Sequence, residues 1–374
     1  GLMTILQLIA TTPVASEGID IAPVSIVDAP RYAWRGLSFD VVRRAYSVEE
    51  VKGVIDLLAL YKANVLHLHL TDSEGWRIEI DAWPKLAKIA STTAFNNRAG
   101  GFFTKDQYRD LVRYAADRFI AVVPEIEMPG HAAAVFRAYP ELAGDGVNPE
   151  TTNLHRSTAF QTMHPDNPHI SRFLEDVFQE VAELTTAAYL HIGGDEDPDL
   201  YARFMHRARE LAYATGKKVV AWQETSRSGF APEDIAQFWL EPSVHDLEED
   251  EKVEMPEDIQ RLPDADEVDA AFAEAARVSP FDMDRIIEQG PAVLLSLQPF
   301  AYFDTRHREP AANPDQTDQQ GSVGAPFYRP RTLQDFFMWD PGTARPELDE
   351  SRIAGVEGAI WCESVETESD LFFL

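Results

Sequence analysis

Two adjacent carboxylates, Asp195 and Glu196, close the segment 190–196 (LHIGGDE), which begins as an apolar strand and loosens at two glycines. Successive side chains of a regular strand point to opposite faces, so neighbouring acids can share a pocket only where the strand has ended. Glycine allows that departure because it adopts backbone angles that are closed to other residues.

A carboxylate pair at the end of a strand suits glycoside hydrolysis. That reaction needs a proton donor for the leaving oxygen and a second group for the developing cation. From these residues alone, a polar loop in which Asp195 or Glu196 caps a helix beginning near Pro198 is an equally good interpretation.

Further acids and aromatic residues follow other apolar segments, at the points where strands would end. They are Asp40, Asp72, His131, Trp222, Trp239, Tyr302, Asp304, Trp361 and Glu363. In a parallel barrel the active site lies at the C-terminal ends of the strands, so we expect these side chains to meet there. The three tryptophans could form an apolar box around a sugar or an acyl group, although a lone tryptophan more often packs in a core.

Other polar residues have weaker interpretations. Arg35, on the first strand, is expected to reach the rim and hold sugar hydroxyls, or else to pair with one of the many acids. His131, after a Pro-Gly turn, could tune the pKa of a catalytic acid. His67, His69 and His191 suggest zinc, but no His-Glu-x-x-His pattern is present. We therefore expect no metal and no cofactor, with His67 and His69 lining the barrel from one strand face.

Eight apolar segments of strand length recur along the chain, mostly separated by segments with helical spacing. The predicted strands are 33–42, 64–72, 120–126, the segment opening at Leu190, Lys218–Trp222, 235–240, 292–297 and 358–361, and the predicted helices include 1–10, 48–61, 104–118 and Ile170–Leu184. This alternation favours parallel pairing through right-handed crossovers, and a closed (β/α)8 TIM barrel is the economical solution. An open doubly wound sheet is the alternative, but no glycine-rich phosphate fingerprint supports it.

The barrel is expected to span residues 31–374, after a helix and linker at 1–30 that would be the remnant of a preceding domain. A very acidic stretch, 241–279, is predicted to be an insertion after the sixth strand, and its spacing does not match an EF-hand. Little sequence follows the eighth strand, so the last helix is expected to be truncated.

Composition excludes several classes of function. The chain of 374 residues carries a formal net charge of -30, so its surface would repel nucleic acid. No apolar run approaches the roughly 20 residues of a membrane span, and the single cysteine, Cys362, allows no internal disulfide. No leader is visible, and localisation stays open between cytoplasmic and secreted.

From Arg35 to Glu363 the segments resemble glycoside hydrolase family 20, the β-N-acetylhexosaminidases. The matching pieces are Arg35-Gly36 with Asp40, 67–72 (HLHLTD) with 75–77 (GWR), 124–126 (PEI) with 128–131 (MPGH), 191–196 (HIGGDE), Trp222, Trp239, Tyr302 with Asp304, Trp339-Asp340-Pro341, and Trp361 with Glu363. The order of these pieces makes the resemblance specific, whereas each alone is weak.

The resemblance implies substrate-assisted, retaining hydrolysis, an exception to the two-carboxylate scheme. Glu196 would protonate the glycosidic oxygen, supported by a relay of Asp72 and His131. The substrate's acetamido carbonyl would attack C1, oriented by Asp195 and Tyr302. The implied sugar-binding residues are Arg35, Trp222, Trp239, Asp304, Trp339, Trp361 and Glu363.

The implied partners are glycans that end in N-acetylglucosamine or N-acetylgalactosamine, with no nucleic acid and no membrane. A homo-dimer is possible, because a partner chain could cover an exposed barrel seam. A lacto-N-biosidase-like enzyme that releases a disaccharide and a non-catalytic sugar-binding barrel are the alternatives. Most family members carry a small α+β domain before the barrel, and residues 1–10 resemble only its last helix.

Overall fold

Eight parallel strands close into a barrel in the computed structural model, which describes residues 1–13, 18–143, 161–194, 198–240, 279–326 and 328–374. In chain order the strands are β1 (Trp34–Asp40), β2 (Val65–His69), β3 (Ala121–Glu125), β4 (Tyr189–His191), β5 (Lys218–Trp222), β6 (Ile235–Phe238), β7 (Ala292–Leu295) and β8 (Ile353–Ile360). Neighbouring strands pair in parallel around the whole ring, and β1 pairs with both β2 and β8. The predicted (β/α)8 barrel is confirmed.

Helices lie between most of the strands. The described helices are α1 (Leu2–Thr11), α2 (Val48–Leu60), α3 (Lys105–Ala116), α4 (Ala133–Ala138), α5 (Ile170–Leu184), α6 (Pro198–Ala214), α7 (Asp282–Gln289), α8 (Gln298–Ala301), α9 (Thr317–Ser322), α10 (Leu333–Met338) and α11 (Glu368–Phe373). Helix α2 shows why they form: Ser47 and Glu50 make a reciprocal capping box at its start, and Val51, Val54 and Ile55 bury one face at helical spacing.

The inside of the barrel has an apolar layer towards the N-terminal ends of the strands. Its members form one buried cluster: Trp34, Val65, Val123, Val220, Ile235 and Leu294. Side chains two positions further along a strand face the same way, so they make the next layer towards the C-terminal ends. That layer is polar or aromatic and also buried, with His67, Glu125, Trp222, Gln237 and Ser296. Since barrel interiors are usually filled by branched aliphatic residues, this second layer needs its own explanation.

Some predicted boundaries differ from the structure. The eighth strand begins at Ile353 and not at 358, because Gly355 allows β8 to lie close against β1 before the apolar segment starts. Helix α11 follows it and begins with a capping box of Thr367 and Asp370. The predicted insertion lies outside the described residues, apart from Ser279. Among the described helices, none is both long and apolar enough to cross a bilayer.

The seam between β1 and β8 gives a stability prediction. A Cβ added at Gly355 would collide with the main-chain carbonyl of Trp34, whereas one added at Gly321 in α9 would meet nothing within 4 Å. We expect Gly355→Ala to lower the free energy of unfolding by about 2 kcal/mol or more, because neither backbone can retreat without opening the barrel. Gly321→Ala, the matched control, should stay close to the parent protein. Urea denaturation measures both, and equal midpoints for the two variants would contradict the close packing of this seam.

Candidate active site

Arg43 lies at the centre of a group of acids at the C-terminal ends of β1 and β2. Its Nη2 is 2.8 Å from Asp72 Oδ2, and its Nε is 3.2 Å from Glu74 Oε2. Its Nη1 is 3.7 Å from Asp40 Oδ2, and the guanidinium lies 5.4 Å from the ring centre of Trp361. A buried guanidinium held from several sides is a rigid set of donors.

Asp72 and His131 form the contact that their positions after β2 and β3 suggest. Asp72 belongs to an antiparallel hairpin, Thr71–Asp72 with Gly75–Trp76, and its Oδ1 lies 2.9 Å from His131 Nδ1. Burial disfavours the Asp72 anion, but Arg43, His131 and His69 outweigh it and hold the pKa of this carboxyl well below its ordinary value. An ionised Asp72 places the proton of His131 on Nδ1 and fixes the orientation of the ring.

Four aromatic residues from separate strand ends form a continuous cluster at the rim. The ring centres of Trp222 and Trp361 are 6.3 Å apart, and those of Trp361 and Tyr302 are 6.1 Å apart. Trp239 stacks on Tyr302 with centres 6.2 Å apart, and Tyr328 lies edge-on to Tyr302 at 6.0 Å. Burial raises the pKa of Tyr302 well above its ordinary value, so its hydroxyl stays protonated and can donate a hydrogen bond.

Three more carboxyl groups complete this edge of the barrel. Burial, with Glu363 nearby, raises the pKa of Asp304 well above its ordinary value, and Asp304 Oδ1 has no hydrogen-bond partner among the described residues. The side chain of Glu363 is 43% exposed and lies 4.0 Å from Arg43 Nε. Burial also raises the pKa of Glu74, to about 7, against the opposing charge of Arg43. Such groups can donate to or accept from several hydroxyls of a bound molecule.

The backbone after β4 turns sharply before the acidic pair. Gly193 and Gly194 have φ of +66° and +102°, which favour glycine. Added Cβ atoms would collide with Glu127 at the first and with Thr225 and Tyr201 at the second. Glu127 Oε1 accepts from the Gly194 N–H at 3.0 Å. Asp195 and Glu196 lie outside the described residues, directly after this turn.

Below the rim, three histidines and two glutamates fill the polar layer of the barrel. His67 Nδ1 lies 2.8 Å from Glu357 Oε1, and its Nε2 lies 3.1 Å from Glu125 Oε2. His69 lies between two carboxylates. Its Nδ1 is 2.5 Å from Glu125 Oε2, and its Nε2 is 2.9 Å from Asp72 Oδ2. His191 Nδ1 lies 2.9 Å from Glu125 Oε1. Buried charges are tolerated when groups of opposite charge lie this close to them.

This layer also holds the described groups of residues that come nearest to a metal site. His67, Glu125 and His191 bring potential ligand atoms within 4.8 Å of one another, and so do His69, Glu125 and Glu127. Both ring nitrogens of His67 already face carboxylates, and the rings of His67 and His191 stack with centres 4.4 Å apart. Stacked rings direct their nitrogens past each other and not at one central ion, so the arrangement fits a hydrogen-bonded network better than a metal. The expectation of no metal stays a prediction.

Comparison with known proteins decides the family. The sequence model described as "Glycosyl hydrolase family 20, catalytic domain" matches residues 32–201 and 273–373. The chain belongs to glycosyl hydrolase family 20.

Relatives within family 20 cover nearly all of this chain. A beta-N-acetylhexosaminidase of Cellulomonas fimi is 35% identical over 359 residues, which are 94% of this chain and 63% of the relative. The chain thus spans slightly less than two thirds of that protein.

Solved structures of the family show the same fold. One described as a Glycoside Hydrolase Family 20 beta-N-Acetylglucosaminidase has a TM-score of 0.78 at 32% identity, over 99% of this chain and 72% of its own. The Streptomyces plicatus N-acetyl-beta-hexosaminidase in complex with Thio-NAglucal has a TM-score of 0.73 at 34% identity, over 92% of this chain and 61% of its own.

Arg35 of this family 20 chain does not reach the rim, and that prediction is wrong. It is the second residue of β1, and its guanidinium donates to the main-chain oxygens of Lys62 and Tyr32 at 3.0 and 2.9 Å. These contacts lie at the N-terminal end of the barrel, five residues and about 16 Å of strand before Asp40. Arg43 takes the place that the prediction gave to Arg35. Its position three residues after the strand-ending Asp40 was the available signal.

Trp339 also lies away from the aromatic cluster, contrary to its predicted place in the sugar site. It stacks on Phe300 with ring centres 5.4 Å apart, on an apolar groove of about 690 Å³. The groove is lined on one side by Val356 and Gly358, which alternate along β8 with the inward-facing Glu357 and therefore face outward. Trp339 thus packs on the outer wall of the barrel.

The polar layer predicts how the stability of the protein depends on pH. Burial lowers the pKa of His67, but Glu125 and Glu357 outweigh it and raise the pKa to about 9. In the unfolded chain the pKa is about 6.5, so the stabilising contribution is complete below that pH and is lost as pH rises to about 9. The difference corresponds to about 3 kcal/mol.

Urea unfolding between pH 6 and pH 9.5 tests this. The free energy of unfolding should fall more steeply with pH in the parent protein than in His67→Gln, which lacks the titrating ring. Parallel curves for the two proteins would show that His67 carries no extra proton in the folded state.

Proposed function

We propose that this chain is an exo-acting, retaining β-N-acetylhexosaminidase that removes terminal N-acetylglucosamine or N-acetylgalactosamine by substrate-assisted catalysis. The observation that supports it most is the aromatic cluster of Trp222, Trp361, Tyr302 and Trp239. Arg43 links this cluster to the Asp72–His131 pair, because its guanidinium lies 5.4 Å from the ring centre of Trp361 and 2.8 Å from Asp72. The names of the relatives point the same way, since they are a beta-N-acetylhexosaminidase and a beta-N-Acetylglucosaminidase.

The cluster suits an acetamido group better than a bare sugar ring. A methyl group needs apolar walls, which indole rings provide, while the amide carbonyl needs a donor, which the protonated Tyr302 hydroxyl provides. In this proposal Asp195 accepts a hydrogen bond from the acetamido N–H. It also stabilises the positive charge of the oxazolinium ring, which forms when the acetamido carbonyl oxygen bonds to C1. Holding the nucleophile within the substrate makes the attack intramolecular, which can contribute several kcal/mol or more to the rate.

Glu196 is the proposed general acid. It would protonate the glycosidic oxygen as the oxazolinium ring forms, and it would then deprotonate the water that opens the ring. Its neighbour Asp195 must stay ionised while Glu196 carries a proton, and a nearby negative charge helps to keep that proton in place. The Asp72–His131 pair is the proposed support for this acid.

Ring hydroxyls of the terminal sugar are assigned to the acid-lined edge of the site. Arg43 presents fixed donors, and Glu363 and Asp304 present oxygens, of which Asp304 Oδ1 is buried without a partner among the described residues. A rim that engages the far side of the ring favours cleavage of one terminal sugar. Release of a disaccharide, as by a lacto-N-biosidase, would need that edge to be open.

A substrate comparison tests the proposed function. The protein should hydrolyse 4-nitrophenyl N-acetyl-β-glucosaminide and hardly turn over the matched glucoside, in which a 2-hydroxyl replaces the acetamido group. Glu196→Gln should slow chitobiose hydrolysis by about 10²-fold or more, and a dinitrophenyl glycoside much less, because an acidic leaving group needs little protonation.

Four outcomes would count against it. Brisk hydrolysis of the glucoside would contradict the role of the acetamido group, and equal losses on both substrate types would contradict Glu196 as the acid. Binding without hydrolysis would mean a sugar-binding barrel, and turnover confined to an aryl lacto-N-bioside would mean the disaccharide-releasing alternative.

A further inference from the structure

Glu125 is the point at which the polar layer of the barrel converges. It is fully buried at the C-terminal end of β3. Its Oε2 lies 2.5 Å from His69 Nδ1 and 3.1 Å from His67 Nε2, and its Oε1 lies 2.9 Å from His191 Nδ1. Oε1 also accepts from the indole N–H of Trp222 at 3.0 Å. One carboxylate therefore connects β2, β3, β4 and β5.

Two chains of contacts lead from this carboxylate to the rim. The first passes through His69, whose Nε2 lies 2.9 Å from Asp72 Oδ2, and ends at His131, 2.9 Å from Asp72 Oδ1. The second is the direct bond to Trp222, which sets the rotation of that indole against Trp361. Both chains end on residues that the proposed function uses.

We propose that Glu125 is a positioning residue of the reaction, which fixes the Asp72–His131 pair through His69 and the wall of the acetamido pocket through Trp222. This inference rests on the proposed function. Glu125 itself lies below the rim and is fully buried, so it acts only through these neighbours.

The charge of Glu125 matters as much as its shape. Burial and the Arg43 guanidinium, whose Nη1 lies 3.4 Å from His69 Nε2, would favour a neutral His69, but Glu125 and Asp72 outweigh them and raise the pKa of His69 well above its ordinary value. A doubly protonated His69 donates to both carboxylates at once, which a neutral ring cannot do.

The cations that face Asp72 are Arg43, His69 and His131, and the nearby carboxyls are Glu74 and Glu363. Without the Glu125 anion His69 loses its extra proton, and Asp72 then ionises only at higher pH.

A purely structural role is the competing explanation, since removing one partner of a buried ion pair destabilises any protein. Glu357 provides a matched control because it is equally buried in the same barrel. It accepts from Trp34 and Gln237 and pairs with His67, at 2.6, 3.1 and 2.8 Å. Glu357→Gln therefore perturbs the same layer without cutting either chain of contacts to the rim.

The experiment compares Glu125→Gln, Glu357→Gln and the parent protein as full chains, each checked by circular dichroism and thermal melting. For chitobiose, Glu125→Gln should lower kcat by roughly 10- to 100-fold, a part of the roughly 10²–10⁴ that a general acid contributes. The acid limb of kcat/KM should move up by about one pH unit, because Asp72 then protonates more easily. Glu357→Gln should leave that limb in place.

Two further variants separate the chains and guard against a failure to fold. His69→Gln leaves Glu125 with His67, His191 and Trp222 but cuts the link to Asp72, so it should reproduce the shift of the acid limb. Trp222→Phe keeps an aromatic wall without the N–H donor, so it should raise KM without moving the limb.

A second readout does not depend on activity. The imidazole Nδ1–H resonance of His131, assigned with His131→Asn, should be present in the parent and in Glu357→Gln and be lost or broadened in Glu125→Gln. If the parent hydrolyses no N-acetylhexosaminide, the proposed function fails and this resonance alone decides the positioning role. An unchanged acid limb in both Glu125→Gln and His69→Gln, or an unchanged His131 resonance in Glu125→Gln, would overturn the inference.

Discussion

The carboxylate of Glu125 imposes a constraint on which much of this barrel depends. An anion buried in the interior is tolerated only when cations and donors surround it, and here His69, His67 and the Trp222 indole do so, with the His191 ring 2.9 Å away. Burial opposes its ionisation, but the charges of His69 and His67 hold the pKa of Glu125 well below its ordinary value, whereas burial lowers the pKa of His191 and keeps that ring neutral. Partners drawn from β2, β4 and β5 must then meet at β3, which fixes the register of four strands at the end where the site lies.

This constraint explains why the polar layer lies where it does. The apolar layer at the N-terminal end supplies the packing that holds the strands together, with Val65, Val123 and Val220 among its members. One layer further, the same strands place a charged network within reach of the rim. This network supplies His69, which contacts Asp72 from below the rim, while Arg43 contacts Asp72 from the end of β1. The aromatic cluster and the acid-lined edge thus lie next to a buried layer of paired charges.

The sequence predicts the fold well because the relevant signals are local. Apolar strand segments alternate with helical spacing, so the eight strands, their order and the rim at their C-terminal ends follow from periodicity and chain connectivity. The same reasoning brings together Asp72 with His131 and Tyr302 with Trp361, since each directly follows a strand or its loop. The alternation in 67–70 (HLHL) correctly predicts that His67 and His69 line the barrel.

Other parts of the site depend on distances that periodicity does not give. Arg35 lies on the correct strand but at its N-terminal end, whereas Arg43, three residues after the strand-ending Asp40, is the arginine at the rim. Trp339 follows α10, whose packing against the outer wall depends on Phe300 and Val356, far from it in sequence. Glu125 looks like an ordinary strand end in the sequence. Its role as a hub emerges only when four strands are closed into a ring.

Inhibition by a thiazoline analogue of N-acetylglucosamine tests most directly whether the substrate or the protein supplies the nucleophile. The thiazoline resembles the oxazolinium intermediate that the acetamido group would form. If the substrate's own acetamido group attacks C1, the thiazoline should inhibit competitively and at least about 10²-fold more tightly than N-acetylglucosamine, because it mimics a state closer to the transition state. Binding no tighter than that of the free sugar, together with a covalent glycosyl adduct on Asp195 in the mass spectrum of the quenched enzyme, would contradict substrate assistance and assign the attack to the protein.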